Sequence, residues 1–419
     1  MKASPNGNHP NNQLWAHVDI NSYFATLLQQ ENPYLRNKPV GVLKAAGRTC
    51  IIAASKEAKT YGVITGCRLA EARALCPKLI TVPAPFDLCL SATRQLRTIF
   101  TSFVPDVEIF SLDEAFLDLR PCRRLYPDPF EFGKLVQHTI KETLGSWVTC
   151  NVGIGRSRLL AKMTGEISPK GSVTQVTEDN ILSLLASTPF SAVCGIGHRL
   201  KQRLCDIGIS SLLQVSFLSD EELVSTLGPF WAVEVRKMSG GEDPELLQRI
   251  HSNDHMKCVS RTITGYGLCD SEEIIKRTLY NLTLEVITKV RIMKLAGRRV
   301  SMFVQGRDES WRGHHTSQSY LQHTAEMFSY VYDRLYKTCH RTFPVLRFGV
   351  ALSLLKEQSG IQEPLFSTWH TQERLESAVD SIREKYGNFA IRSGLLTTGP
   401  VIKQEVTGYL GDKKFYGLE

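Results

Sequence analysis

Short apolar runs alternate with stretches of helical periodicity along the first 176 residues of the chain. The run at 14–20 predicts a buried strand that carries Asp19 near its end. It is followed by a helical pattern at 87–103, two short strands within 107–119, a helix near 129–145 and a strand at 148–153. This β-α-β-β-α-β order predicts an α+β fold with a ferredoxin-like sheet and helices on one face.

The remaining segments predict further domains. Residues 33–85 alternate strand-like runs with helical patches, as expected of a small mixed domain inserted after the first strand. Residues 177–246 are helix-rich, and Gly195-Ile196-Gly197 precedes an amphipathic helix there, which resembles a helix-hairpin-helix. A polar stretch ending at 254 indicates a linker, after which a new β/α pattern begins. Residues 372–386 form a second amphipathic pattern.

Charge and cysteine usage narrow the class of protein. The formal net charge is +8. Residues 254–357 contain 16 Lys and Arg against 10 Asp and Glu, so this quarter of the chain holds +6 of the total, as a DNA-binding domain requires. The eleven cysteines show no zinc-type spacing and are interpreted as reduced thiols. The absence of a long apolar run and of a signal-like start predicts a cytoplasmic, nucleoid-associated protein without a membrane segment.

Three acidic residues are the strongest chemical signal. Asp19 ends the first strand, and Asp113 with Glu114 lies at the predicted hairpin of a neighbouring strand, so the three carboxylates can reach one point. Mg²⁺ prefers such hard oxygen ligands, and two ions held together can activate a hydroxyl and stabilise a leaving pyrophosphate. An ordinary polar turn is the alternative for the Asp113-Glu114 pair alone.

The segments VDINSYFA (18–25) and SLDEAFLDL (111–119) resemble the two signature motifs of Y-family DNA polymerases. The resemblance covers 14–357 and implies a right-hand, lesion-tolerant polymerase that acts as a monomer on primer-template DNA with deoxynucleoside triphosphates. The implied division is a disordered tail (1–13), palm (14–22 and 87–176), fingers (23–86), thumb (177–246), linker (247–254), little finger (255–357) and C-terminal tail (358–419).

The same resemblance implies roles at the acidic residues. Asp19 and Asp113 would bridge two Mg²⁺ ions, for which Mn²⁺ can substitute, and Glu114 would hold the catalytic ion. The backbone carbonyl of Ile20 would complete the nucleotide-bound ion, and Ser111 would support the site.

Next to them, the start of the first helix is implied to hold the nucleotide. Phe24 matches the steric gate that excludes a 2′-hydroxyl, with a core aromatic as the alternative. Backbone N–H groups of Ser22 and Tyr23 would meet phosphate oxygens.

The fingers segment AASKEAKTYGV (53–63) resembles the triphosphate-binding segment of the family, with substitutions. Lys59 stands where Arg is usual, Lys56 where Tyr is usual, and Ala53 where a hydroxyl is usual. Lysine lacks the bidentate fork of arginine, so nucleotide affinity is expected to differ. Ile52 is a large residue where the roof over the base pair is usually small. We therefore expect Ile52→Ala to widen bypass of bulky lesions.

At the end of the palm, Arg158 replaces a Lys that the family uses for the nucleotide, while Lys162 matches a more distal family Lys. A solvated helix face is the alternative for Lys56 and Lys59 in the fingers segment.

Contacts to DNA and partners complete the expectations. Gly195 and Gly197 would bind the DNA backbone, with an ordinary tight turn as the alternative. The candidates for template phosphates in the basic domain are Arg291, Lys294, Arg298 and Arg299. Gln362, Leu365 and Phe366 resemble a bacterial sliding-clamp peptide, with a loop anchor as the alternative, and the tail helix favours a bacterial origin. Competing functions are a catalytically silent accessory protein of the same fold and an unrelated helix-hairpin-helix protein or glycosylase.

Overall fold

The computed structural model describes residues 14–44, 50–248, 256–361, 369–387 and 390–397. Two compact units divide the chain near residue 250: unit 1 contains the described residues 14–248, and unit 2 contains those from 256 to 397. The division falls within the segment predicted as a linker, and the finer domain boundaries stay a prediction. None of the described helices is long and apolar enough to cross a membrane.

Unit 1 contains eight strands and eleven α-helices. The strands are β1 (Trp15–Ile20), β2 (Val40–Leu43), β3 (Ile51–Ala54), β4 (Ile80–Pro83), β5 (Val107–Ile109), β6 (Glu114–Asp118), β7 (Cys150–Gly155) and β8 (Val173–Gln175). The helices are α1 (Tyr23–Glu31), α2 (Lys56–Lys59), α3 (Leu69–Leu75), α4 (Phe86–Phe103), α5 (Pro129–Leu144), α6 (Arg158–Ile167), α7 (Ile181–Ser187), α8 (His198–Asp206), α9 (Leu212–Val215), α10 (Asp220–Leu227) and α11 (Pro229–Ser239).

The central sheet has the order β5-β6-β1-β7-β8. Its first four strands are antiparallel and follow the ferredoxin-like order expected from the sequence, and β8 adds a parallel edge. On one face Ala16, Val18 and Ile20 join the hydrophobic core that also contains buried residues of α4 and α5. The expectation of helices on one face describes these two helices only, because α6 covers the opposite face.

Close approach of α6 to the sheet depends on Gly153. A Cβ atom at this position would lie 2.1 Å from the carbonyl oxygen of Ala161, a distance that no side chain tolerates. Leu159, Leu160 and Met163 of α6 are consequently buried against the sheet, together with Trp15 and Phe116.

The inserted segment forms a small sheet of its own with the order β3-β2-β4. A separate apolar cluster around Ala58, Val63 and Ala72 stabilises it. Val40 and Ala53, however, belong to the larger core beneath α1. The inserted segment therefore shares this core with the central sheet and contacts α1 through β2 and β3.

Helices α7–α11 form the helical part of unit 1, with local sequence signals at their ends. Capping boxes at Ser211 and Ser219 begin α9 and α10. Gly208 follows α8 with φ +80°, a left-handed conformation in which glycine avoids the strain of a side chain.

Unit 2 is a four-stranded antiparallel sheet of order β11-β10-β12-β9 with helices on one face. Its elements are β9 (Cys258–Cys269), α12 (Glu272–Ile292), β10 (Leu295–Gln305), β11 (Ser310–Leu321), α13 (Thr324–Ser329), a π-helical turn (Tyr330–Tyr336), β12 (Val345–Glu357) and α14 (Trp369–Tyr386). Val300, Met302 and Val304 of β10 are buried on the face of α12. Beyond α14, Leu396 is only 1% exposed, and Arg277 of α12 donates to the carbonyl of Leu395 (3.2 Å). The described part of the tail, up to residue 397, is thus part of this unit.

Candidate active site

The register of β1 and β6 brings the three predicted carboxylates to one edge of the central sheet. Asp19 is paired with Glu114, and the N–H of Ile20 donates to the carbonyl of Asp113 (2.9 Å). Ser111 donates its hydroxyl to the Asp113 carboxylate. We call Asp19, Asp113 and Glu114 the acidic edge.

Negative charge accumulates at the acidic edge. Burial, together with the neighbouring Asp113 and Glu114, raises the pKa of Asp19 to about 7. Burial and the charge of Glu114 raise the pKa of Asp113 as well, against the opposing hydrogen bond from Ser111. Two of the three carboxylates are therefore destabilised in their charged form, which is the condition that a bound cation would relieve.

The pKa of Glu114 shifts in the opposite direction to those of Asp19 and Asp113, because Glu114 has basic partners. Its Oε2 atom lies 2.9 Å from Nε2 of His17 and also accepts from the ammonium of Lys162. Burial acts to raise the pKa of Glu114, but His17 and Lys162 outweigh it and lower the pKa to about 2. The sequence analysis missed His17; its position two residues before Asp19, on the same side of β1, was the available signal.

The acidic edge fits a hard divalent cation by its donor chemistry. Carboxylate oxygens are the ligands that Mg²⁺ prefers, and burial together with the neighbouring Asp113 and Glu114 raises the pKa of Asp19, an effect that a bound cation would oppose. Among the residues that the structure describes, no three His, Cys, Asp or Glu side chains are already gathered as an ion-holding group.

The start of α1 lies immediately after Asp19 and Ile20. Ser22, at the N-cap of α1, has φ +52°, and its side chain makes no capping hydrogen bond. The backbone N–H groups at the start of α1 are therefore available to a ligand. Phe24 is 8% exposed and packs in the core with an edge contact to Tyr23.

Tyr23 connects this helix to the acidic edge. Its hydroxyl donates to the carbonyl of Cys89 (2.6 Å) and lies 2.8 Å from the hydroxyl of Thr93. Thr93 in turn donates to the carbonyl of Leu112, the residue before Asp113 (2.8 Å). Helix α1 and the hairpin that carries Asp113 are thereby fixed to the same helix, α4.

Two lysines approach the start of α1. Lys59 donates to the hydroxyl of Ser22 (2.8 Å). Burial and the neighbouring Lys170 lower the pKa of Lys59, and Lys170 also interacts electrostatically with Asp19. Lys170 was missed by the sequence analysis, although it stands in the polar turn directly after α6. Lys56 is exposed on α2, Ile52 is half-buried and Ala53 is buried, both on β3.

Arg158 does not lie beside the acidic edge or the start of α1, which corrects the sequence-based assignment to the nucleotide. Its side chain is buried on the α6 side of the sheet, where the guanidinium stacks over Trp15 (4.4 Å to the ring centroid) and pairs with Glu108 (2.9 Å). It also donates to the carbonyl of Leu247 (2.6 Å). The first residue of α6 faces the core, and Lys162, one turn later, reaches the acidic edge instead.

Gly195 and Gly197 form the turn before α8. Gly195 has φ +95°, and Gly197 is the N-cap of the helix with open space around it. The turn is therefore accessible to a backbone ligand, and its DNA contact stays a prediction.

Arg291 is a second correction. Its guanidinium makes paired bonds to Asp380 (2.9 and 3.0 Å) and a further bond to Glu376 (2.8 Å), both on α14. Glu376 also lies 3.2 Å from His323 and accepts from the N–H of Thr324. We call Arg291, His323, Glu376 and Asp380 the arginine cluster. Because these carboxylates occupy the guanidinium, it binds the tail helix and not a template phosphate.

The other three predicted cations are more accessible. Arg299 is exposed on the open face of the sheet of unit 2, and Lys294 is exposed at the turn before β10. Arg298 is half-buried and donates to the carbonyl of Ser317.

The open sheet face adds candidates that sequence analysis missed. A groove of about 590 Å³ there is lined by Phe303, Arg312 and Arg347 among others. The Arg347 guanidinium lies 5.6 Å from the Phe303 ring, which rests on Gly349. The alternation of apolar and polar residues along β10 and β12 was the signal in the sequence that could have found them. The proposed clamp peptide Gln362, Leu365 and Phe366 lies outside the described residues, as does the 1–13 tail.

Comparisons with known proteins agree with this architecture. A Y-family DNA polymerase chimera of known structure matches 82% of this chain and 99% of its own, with a TM-score of 0.71 and 21% sequence identity, so the fold is that of this class of polymerase. The impB/mucB/samB family model matches residues 18–166, and the model of the C-terminal domain of that family matches 257–365.

Named relatives cover nearly the whole chain. DNA polymerase IV of Moorella thermoacetica is 31% identical over 91% of this chain and 95% of its own length. DNA polymerase IV 2 of Bacillus subtilis is 28% identical over 91% and 94%, respectively. The chain therefore belongs to the impB/mucB/samB family of Y-family DNA polymerases.

Proposed function

We propose that the chain is a template-directed DNA polymerase that extends primer 3′ ends with deoxynucleotides and is specialised for synthesis past damaged template bases. The observation that carries the proposal is the acidic edge, where adjacent strands bring together three carboxylates in excess of their cations. Membership of the polymerase family supports the same reaction.

In this proposal Asp19 and Asp113 hold two divalent ions, Glu114 binds the catalytic one and the carbonyl of Ile20 contributes to the other. Two Mg²⁺ ions, when bound, would make the primer hydroxyl more acidic and neutralise the departing pyrophosphate. Lys162 and His17 contact Glu114 and would orient its carboxylate at the acidic edge.

The nucleotide would lie against the start of α1. The N–H groups of Ser22 and Tyr23 offer unpaired donors to phosphate oxygens. Lys59 and Lys170 add positive charge beside them, with Lys56 on the same finger helix. Lysine neutralises phosphate without fixing its orientation, so we infer looser triphosphate positioning than an arginine would give. Ile52 would form the roof of the base pair, and Ala53 lies next to it on β3 in the segment that would bind the triphosphate.

Primer-template DNA would contact both units. Gly195 and Gly197 offer backbone donors for a phosphate, independently of sequence. On unit 2, the open sheet face with Arg299, Arg312 and Arg347 offers positive charge, and Lys294 and Arg298 lie at its border. Such binding would weaken steeply with salt. We also propose clamp binding through Gln362, Leu365 and Phe366.

Primer extension tests the proposal. With Mg²⁺ and four deoxynucleotides, wild type should extend a primer, and the Asp113→Ala plus Glu114→Ala variant should lose about 10³-fold or more of the rate, because metal stabilisation of the transition state is worth several kcal/mol. A matched control is Asp128→Ala, which removes only the N-cap of α5 on the surface. Equal extension by the wild-type and double-variant proteins would refute the site. A silent accessory protein would extend no primer in any form.

Phe24→Ala tests the steric gate. Removing the ring should open space for a 2′-hydroxyl and raise ribonucleotide incorporation relative to deoxynucleotide incorporation by roughly tenfold or more. The ratio of kcat/KM values for the two sugars measures this. If the ratio is unchanged while deoxynucleotide incorporation falls, Phe24 acts only as a core aromatic.

A further inference from the structure

The last residues of unit 1 are attached to the N-terminal end of α6. The N–H of Leu159 donates to Oδ1 of Asp243 (2.8 Å), and the Arg158 guanidinium donates to the carbonyl of Leu247 (2.6 Å). On the other side, the N–H of Glu245 donates to Glu234 of α11 (2.5 Å). The segment 240–247 is therefore fixed between two helices.

Burial makes the Arg158 contact rigid. Arg158 is 3% exposed and Leu247 is 1% exposed. The guanidinium is held from below by Trp15 and from the side by Glu108, so its planar donors are already oriented towards the carbonyl of Leu247. Because these partners already hold the Arg158 side chain in one conformation, the side chain loses no further conformational entropy when the protein binds a ligand.

We propose that Arg158 and Asp243 are positioning residues for DNA binding: they fasten segment 240–247 to α6 and fix the point from which the chain leaves unit 1. The inference rests on the proposed function, because it assumes that both units contact one primer-template. Because the segment is already ordered in the free protein, fewer backbone residues lose conformational freedom when both units bind the same DNA.

The expected size follows from backbone entropy. A segment in which even one backbone residue must be reordered on binding should weaken DNA affinity roughly tenfold. The chemical step should not change, since neither Arg158 nor Asp243 contacts the acidic edge.

The test compares two full-length variants that share one substitution. Glu108→Gln alone removes the palm-side partner of Arg158 and leaves segment 240–247 attached. Glu108→Gln combined with Arg158→Met and Asp243→Ala removes both attachments without leaving a buried charge unpaired. Fluorescence anisotropy with a labelled primer-template measures the Kd, and single-turnover extension gives the maximal rate and the KM for deoxynucleotide.

We expect the triple variant to bind primer-template roughly tenfold more weakly than Glu108→Gln, with the same maximal rate and nucleotide KM. Restoring Arg158 in that background should recover part of the affinity. An unchanged Kd, or a loss confined to the maximal rate, would overturn the proposal.

If the triple variant does not fold by circular dichroism, Asp243→Ala alone must show a smaller change in the same direction, and no change would equally overturn it. Extension by wild type is measured separately, so failure of the polymerase assignment is distinguishable from failure of this inference.

Discussion

The acidic edge of unit 1 and the arginine cluster of unit 2 are both partly buried groups of carboxylates with basic neighbours, yet their charge balance differs. At the acidic edge three carboxylates share one lysine and one histidine, and burial with like charge raises the pKa of Asp19 to about 7. In the arginine cluster two carboxylates share a bidentate arginine and a histidine; burial opposes ionisation of Glu376, but His323 and Arg291 keep its pKa below the usual value. Excess negative charge therefore distinguishes the acidic edge, where we propose a metal site, from the structural ion pairs of the arginine cluster.

The largest expected difference is in activity. Asp19→Asn should reduce primer extension by about 10³-fold or more, because it removes a ligand shared by both proposed ions. The same change should raise the free energy of unfolding of the metal-free protein by roughly 1–3 kcal/mol, because it removes like charge from a buried group. Extension rates and urea unfolding in chelator measure the two effects. A loss of both activity and stability would contradict the charge-excess interpretation.

The arginine cluster should show the opposite combination. Glu376→Gln should lower the free energy of unfolding of unit 2 by about 1–3 kcal/mol, because a charged hydrogen bond to Arg291 is weakened in a partly buried site. Primer extension below the melting temperature should stay unchanged. Urea unfolding and steady-state extension check both expectations. Tighter DNA binding by this variant would instead indicate that Arg291 is a phosphate ligand held back by the tail.

The smallest expected effect is on stability: Mg²⁺ should stabilise a protein with an intact acidic edge, whether or not the arginine cluster is intact. Mg²⁺ at ten times its dissociation constant should stabilise wild type by about 1.4 kcal/mol, since it binds the folded state preferentially. Thermal melting should show the same increase for Glu376→Gln and none for Asp19→Asn. A shift in all three proteins would place the metal elsewhere.

Local signals in the sequence were sufficient for the acidic edge. The apolar run before Asp19, the hairpin at Asp113 and the strand order determine which strands are neighbours, and the family resemblance confirmed by the comparisons adds the polymerase reaction. Roles of individual residues at this edge remain predictions.

The two arginine assignments failed for a different physical reason. Arginine side chains are long, and their partners here are distant in sequence: Arg158 pairs with Glu108, and Arg291 with Asp380. Helical periodicity places a residue on a face but does not say which chain segment covers that face. The family resemblance predicted a nucleotide ligand at Arg158, and basic character predicted a template-phosphate ligand at Arg291, but tertiary packing supplied a carboxylate to each.

The attachment of the tail to unit 2 has a consequence for the gene. A premature stop codon shortly before Trp369 would remove both carboxylates that bind Arg291 and the Leu396 side chain that is buried in unit 2. The shortened product would keep every residue of the acidic edge and would still read as an intact polymerase in a survey of motifs. We expect the shortened protein to be less stable and less abundant in the cell than the full-length protein, because unit 2 would contain an unpaired arginine and a newly exposed apolar surface.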